Sequence, residues 1–209
     1  MNIEITLPDE SVRTYEKAIT GEEIAFDIGP KLGKDAVAIE INRKLYDTSY
    51  VITENASIKI LTIKDIQSLS ILRHSSAHLL AQAVLNLYPG TLYGVGPDIE
   101  DGFYYDFEVE RPFTPDDLAA LEKEMSKIVK ANQRFRRRVT NEKDALVELA
   151  AEPFKCELIK DKSPSTDESS VEVGAGELTI YDNLNRDGEI EWRDLCRGPH
   201  IPSTKIISA

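Results

Sequence analysis

The sequence predicts an α+β fold in two parts: a β-grasp, ubiquitin-like domain over residues 1–62, then an α+β domain over residues 63–209 with a central helix packed on an antiparallel sheet. Two observations carry this. The first 62 residues alternate short strand patterns and turns around one helical segment, and from Ser68 the apolar period changes abruptly from two to between three and four.

Ile3 to Leu7 and Val12 to Tyr15, separated by the turn Pro8-Asp9-Glu10-Ser11, read as a hairpin. A helix is predicted from Glu22 to Ile28, stopped at Gly29-Pro30, with strands at Val37–Ile41, Lys44–Tyr46 and Ser57–Leu61. Thr62 to Gln67 reads as a short linker. The next helix runs from Ser68 to Tyr88 and ends at Pro89-Gly90. Leu72, Leu79, Leu80, Ala83, Val84 and Leu87 form its expected buried stripe, while Ile71, Ala81 and Leu85 share the opposite side with His74 and His78. A helix apolar nearly all round is buried, so both imidazoles should line an internal cleft.

Phe103 to Val109 reads as a half-buried strand with Phe103, Tyr105, Phe107 and Val109 inward. Thr114 is the expected N-cap of a helix with Pro115 first, Asp117 three residues after the cap, and Leu118, Leu121, Met125, Ile128 and Val129 inward. Phe135–Val139 reads as a strand, Thr140–Ala151 as a helix and Lys155–Ile159 as a strand. Ser163–Gly176, rich in Ser, Glu, Asp and Gly, reads as a mobile surface loop. Leu178–Tyr181 and Glu189–Leu195 form a last hairpin around Asn185–Gly188.

Composition narrows the function. A net charge of -12, from 25 basic and 37 acidic residues, argues against a general nucleic-acid coat. One dense cationic stretch, Lys127, Lys130, Arg134, Arg136, Arg137 and Arg138, offers a local RNA-backbone contact. No apolar run approaches membrane-spanning length and the amino end lacks a signal-peptide pattern, so a cytoplasmic location without membrane contact is expected. Two cysteines make no disulfide framework, and Cys156 reads as a core residue.

All three histidines fall in two motifs, His74-Ser-Ser-Ala-His78 and Cys196-Arg-Gly-Pro-His200. On a helix, a spacing of four stacks both rings on one face, and Gly198-Pro199 forces the second motif into a turn. Two histidines from a helix with a Cys and a His from a loop form a four-donor set of the kind zinc prefers. The same residues also permit a Cys nucleophile with a His base, or hydrogen bonding among buried imidazoles. A metalloprotease helix is disfavoured because Ser75 stands where a glutamate is needed.

Ile5-Thr-Leu-Pro-Asp9, Asp27-Ile-Gly-Pro-Lys-Leu32, Arg73-His-Ser-Ser-Ala-His-Leu-Leu-Ala81, Gly96-Pro97 with Gly102-Phe-Tyr-Tyr-Asp106, and Asp194-Leu-Cys-Arg-Gly-Pro-His200 resemble the amino-terminal region of bacterial threonyl-tRNA synthetase. The resemblance implies a TGS domain followed by an editing domain that hydrolyses serine wrongly attached to the tRNA for threonine. It implies that His74 and Lys155 activate water without zinc or another cofactor, that Asp194 holds the substrate ammonium, and that His78, Tyr105, Cys196 and His200 shape the pocket. Arg134, Arg136, Arg137 and Arg138 are the expected RNA contacts. Lys160 or Lys162 replaces Lys155 if the 163–176 loop shifts the register. The implied partners are the acceptor end of the tRNA and the seryl ester, with dimerisation of the full-length protein through parts outside this chain. Such a chain holds no class II synthetic core and is not expected to activate amino acids. A zinc-dependent deacylase of the alanyl type and a noncatalytic RNA-binding module are the alternatives.

Overall fold

A computed structural model describes residues 2–161 and 178–207. The predicted Ser163–Gly176 loop lies outside the described residues. Two compact units emerge: one runs to Leu72 and includes Gly198–Pro202, the other comprises Arg73–Arg197 and the segment from Ser203.

The first unit contains β1 (Ile3–Thr6), β2 (Val12–Tyr15), β3 (Ile19–Thr20), α1 (Gly21–Ile28), α2 (Pro30–Asp35), β4 (Ala36–Ile41), β5 (Lys44–Tyr46), β6 (Val51–Ile52) and β7 (Ala56–Thr62). Its main sheet has the order β2-β1-β7-β4-β5, with β1 and β7 parallel and the other neighbours antiparallel, which is the β-grasp arrangement predicted from the sequence. Ile3, Ile5, Ile24, Ile39, Ile52 and Ile58 build the core between sheet and helix. Thr20 and Glu23 cap α1 reciprocally, each side chain bonding the other's backbone amide. Gly29 does end α1, but Pro30 opens a further helix, α2, that the sequence reading did not contain, because proline at a first helical position starts a helix as readily as it stops one.

The chain continues through α3 (Gln67–Leu87), β8 (Leu92–Tyr93), β9 (Asp98–Ile99), β10 (Gly102–Phe103), β11 (Phe107–Glu108), α4 (Pro115–Ala131), β12 (Arg134–Thr140), α5 (Glu142–Glu148), α6 (Pro153–Lys160), β13 (Leu178–Leu184) and β14 (Ile190–Leu195). Strands β12-β13-β14 form an antiparallel sheet. Tyr181 pairs with Asp194 and Asn183 with Trp192, so these four share one sheet face. That face meets α3: Gln82 accepts from Asn183 at 2.8 Å, and Ala77, Ala81, Tyr93, Tyr105 and Trp192 pack together. On the other face, Ile180 and Leu195 join Ala145 and Leu149 of the α5 segment and Ile159 of α6. None of the described helices is long and apolar enough to cross a membrane.

Four expectations are corrected. Lys155–Ile159 is helix α6, because Pro153 at its first position and the burial of Lys155 and Ile159 at a spacing of four give a helical, not a strand, period; Cys156 is accordingly a half-buried helical residue. The Phe103–Val109 strand is broken into β10 and β11, although Tyr105 still points inward and Tyr104 outward. Leu87 and Leu118 are exposed, the one at the last residue of α3 and the other in the first turn of α4. Thr114 caps α4 with Asp117 as expected, and Asp117 also accepts from Arg111 and Tyr88, which hold its carboxyl far below the usual range.

Candidate functional site

The 21-residue helix α3 carries His74 and His78 one turn apart, their rings 5.1 Å apart and both buried. His74 Nδ1 lies 3.3 Å from the carbonyl oxygen of Gly96. A carbonyl only accepts, so Nδ1 carries the proton. Burial pulls the His74 pKa down to about 4, against the raising effect of that bond, and the ring is neutral at pH 7. Nε2 is therefore an acceptor, and it receives the thiol of Cys196 at 3.0 Å. Burial also holds His78 well below its ordinary value, and the neighbouring Lys155 adds to the effect.

A second constellation borders the first. Lys155 and Asp194 are both buried and pair at 2.9 Å between Nζ and Oδ1. Tyr105 donates to Asp194 Oδ2 at 2.5 Å and accepts from Lys155 at 3.2 Å, closing a three-membered network. His78 Nε2 stands 3.6 Å from Asp194 Oδ2 and connects the two groups. Burial pushes the Asp194 carboxyl up, opposed by the Lys155 ammonium and the Tyr105 hydroxyl. Lys155 arrives through α6, whereas Lys160 is exposed at the end of that helix and Lys162 lies outside the described residues.

Local sequence explains the placement. Trp192 and Asp194 are two apart on β14, so both face α3, and the Trp192 ring stands perpendicular to His78 at 5.2 Å. Gly96 allows the close approach of Tyr105: a Cβ there would overlap the phenol ring. Gly198, at φ 70°, supplies the left-handed residue that turns the Cys196–His200 segment. His200 is buried, and its amide donates to Asp47 at 2.9 Å.

His74, His78 and Cys196, all of one unit, offer donor atoms within 4.8 Å of one another, a set able to take part in holding a metal ion. Tetrahedral zinc with bonds of about 2.0 and 2.3 Å needs its nitrogen and sulfur donors roughly 3.5 Å apart. The 3.0 Å separation of His74 and Cys196 is that of a direct hydrogen bond, so ligation by both requires this pair to open.

The four arginines of β12 do not share a face. Arg134, Arg136 and Arg138 alternate with Arg137, whose partner across the ladder is Tyr181. Arg136 and Arg138 both donate to the fully buried Asp182, and Arg138 also reaches Glu148, which accepts from Arg193 as well. Burial raises the Asp182 carboxyl, yet the two guanidiniums outweigh it and hold the pKa below its ordinary value. Sequence reading missed Tyr93 and Trp192. The alternation on β14 marks Trp192 as a neighbour of Asp194; Tyr93, in a two-residue strand, carries no such signal.

Residues 3–62 match the family model described as TGS domain. The chain is 51% identical over 179 residues to a threonine–tRNA ligase of Streptomyces griseus, covering 84% of this chain and 27% of that protein. It is 53% identical over 184 residues to one of Rhodococcus jostii, covering 86% of the chain and 27% of the relative. A threonine–tRNA ligase of Bifidobacterium animalis matches over the whole chain at 44% identity, with 29% of its own length covered. The chain thus spans less than a third of the length of these relatives.

Proposed function

The chain corresponds to the TGS-bearing amino-terminal region of threonyl-tRNA synthetases, and from that premise we propose that the domain over residues 63–209 is an editing deacylase that removes serine from the tRNA for threonine. The observation that carries this reading is the junction of the neutral His74–Cys196 pair with the buried Lys155–Asp194–Tyr105 network.

Serine and threonine differ by one methyl group, worth about 1–3 kcal/mol in a synthetic pocket, so a second site that accepts the smaller ester raises fidelity. In this reading the Tyr105 ring and the Cys196 turn meet the methyl group that threonine adds. Ester hydrolysis needs a water aimed at the carbonyl carbon, a place for its proton and stabilisation of the developing oxyanion. Neutral His74 accepts from the water through Nε2, with the water replacing Cys196 as its donor, and passes the water's proton on to the departing ribose oxygen. Lys155 supplies positive charge to the oxyanion, and Asp194 receives the substrate ammonium. His78 and Cys196 shape the pocket. The chain needs no cofactor in this scheme. The tRNA acceptor end is the partner, with Arg134, Arg136, Arg137 and Arg138 as the RNA contacts, Arg136 and Arg138 also serving Asp182.

The clustered His74, His78 and Cys196 donors support a second reading, zinc chemistry at the set expected from the sequence, which adds His200. Replacing His74 with Ala tests the proposal: hydrolysis of the seryl ester should fall by at least 100-fold with an unchanged circular dichroism spectrum. Full activity in that variant removes His74 from the chemistry.

A further inference from the structure

Lys155 carries a flexible four-carbon stem and a compact charge, and holding it at one point needs more than a single counter-ion. Its ammonium lies 5.3 Å from the centre of the Tyr93 ring and 5.6 Å from that of Tyr105. Both distances fall within the range in which a ring face attracts a cation. Tyr105 also bonds directly to Lys155 and Asp194, whereas the Tyr93 hydroxyl turns away and donates to the backbone carbonyl of Arg193 at 3.2 Å. That bond fastens the Tyr93 ring to β14 beside Asp194. The ring is buried and braced at 6.1 Å by Tyr105 and at 5.7 Å by Trp192.

We infer that Tyr93 is a positioning residue for Lys155: with Tyr105 it forms two aromatic walls that hold the ammonium against Asp194. The inference rests on the reading of Lys155 as a working group of the deacylase. An aliphatic side chain fills the same space but offers no negative ring face. The Lys155 ammonium meets the Asp194 carboxylate directly and is bordered by the two rings. Glu152, three residues earlier at the start of α6, adds a further carboxyl to its surroundings. Lys155 so held serves as a fixed cation and hydrogen-bond donor to the oxyanion, and the proton of the attacking water is relayed through His74 Nε2 to the departing ribose oxygen.

The test compares Tyr93→Phe with Tyr93→Leu and Tyr93→Met in this chain, observing the Lys155 ammonium by proton–nitrogen NMR, assigned through its loss in Lys155→Met. Wild type and Tyr93→Phe should show a ring-shifted, slowly exchanging ammonium signal. Tyr93→Leu and Tyr93→Met should lose the shift and exchange at least about tenfold faster. Seryl-ester hydrolysis should fall about tenfold in kcat in the aliphatic variants, with KM within about twofold of wild type and Tyr93→Phe close to wild type. A folded aliphatic variant whose Lys155 signal matches wild type overturns the inference; should Tyr93→Leu fail to fold, Tyr93→Met decides. If the ammonium responds as described while no protein, wild type included, hydrolyses the seryl ester, the aromatic walls stand and the deacylase reading falls.

Discussion

Acidification should destabilise the chain through His74 by an amount the structure fixes. The buried imidazole titrates at about 4, against an ordinary value of 6.5. Its folded-state pKa is depressed, so the unfolded chain binds the proton first, and the stability from neutral His74 is present above pH 6.5 and lost as pH falls toward 4. From pH 7.5 to pH 4.5 the linkage relation gives a loss of about 2.5 kcal/mol from this group alone. Other buried titratable groups add their own linkage on acidification, so the quantity to measure is a difference between two proteins. Urea unfolding of wild type and of His74→Leu, with a chelator present, should show the variant cheaper to unfold at pH 7.5 because the Gly96 carbonyl and Cys196 lose their partner. The gap should shrink, or reverse, by about 2.5 kcal/mol at pH 4.5. A gap that changes by less than about 0.5 kcal/mol would refute the assignment of a neutral, buried His74.

Gly96→Ala places a methyl group in the Tyr105 ring, so the ring must move off Asp194. Thermal unfolding should register a loss of about 1–3 kcal/mol, and seryl-ester hydrolysis should drop; unchanged values in both would mean Tyr105 has room that the structure does not give it. Asp182→Asn removes the charge shared by Arg136 and Arg138 while keeping the shape. Because Arg136 is nearly half exposed, the expected cost is about 2 kcal/mol by urea unfolding, below that of a fully buried pair. A cost under about 0.5 kcal/mol would show that solvent already compensates both arginines.

The β-grasp topology was legible because period-two strands and a capped helix in a short span leave few ways to bury Ile5, Ile24 and Ile39 together. Helix α3 was legible for the same reason, and its all-round apolar pattern announced the burial of His74 and His78. Lys155 was harder. Its segment has apolar residues that fit a strand as well as one turn of helix, and Pro153 was the discriminating signal. Tyr93 was illegible, because its place against Lys155 depends on β8, α6 and β14 meeting in space, which no local pattern encodes. The arginine stretch illustrates the reverse case. Its density is plain in the sequence, but the alternation of β12 divides it between two faces and Asp182 claims half of it.

The central claim is selective, metal-free removal of serine from its tRNA ester. The most direct measurement is deacylation of seryl- and threonyl-tRNA for threonine by this chain at high protein concentration, with and without chelator. The account predicts loss of the seryl ester at a chelator-independent rate, with the threonyl ester left intact. Activity abolished by chelator would transfer the chemistry to zinc at the His74, His78, Cys196 and His200 donors, and equal hydrolysis of both esters would contradict the sieve formed by Tyr105 and the Cys196 turn.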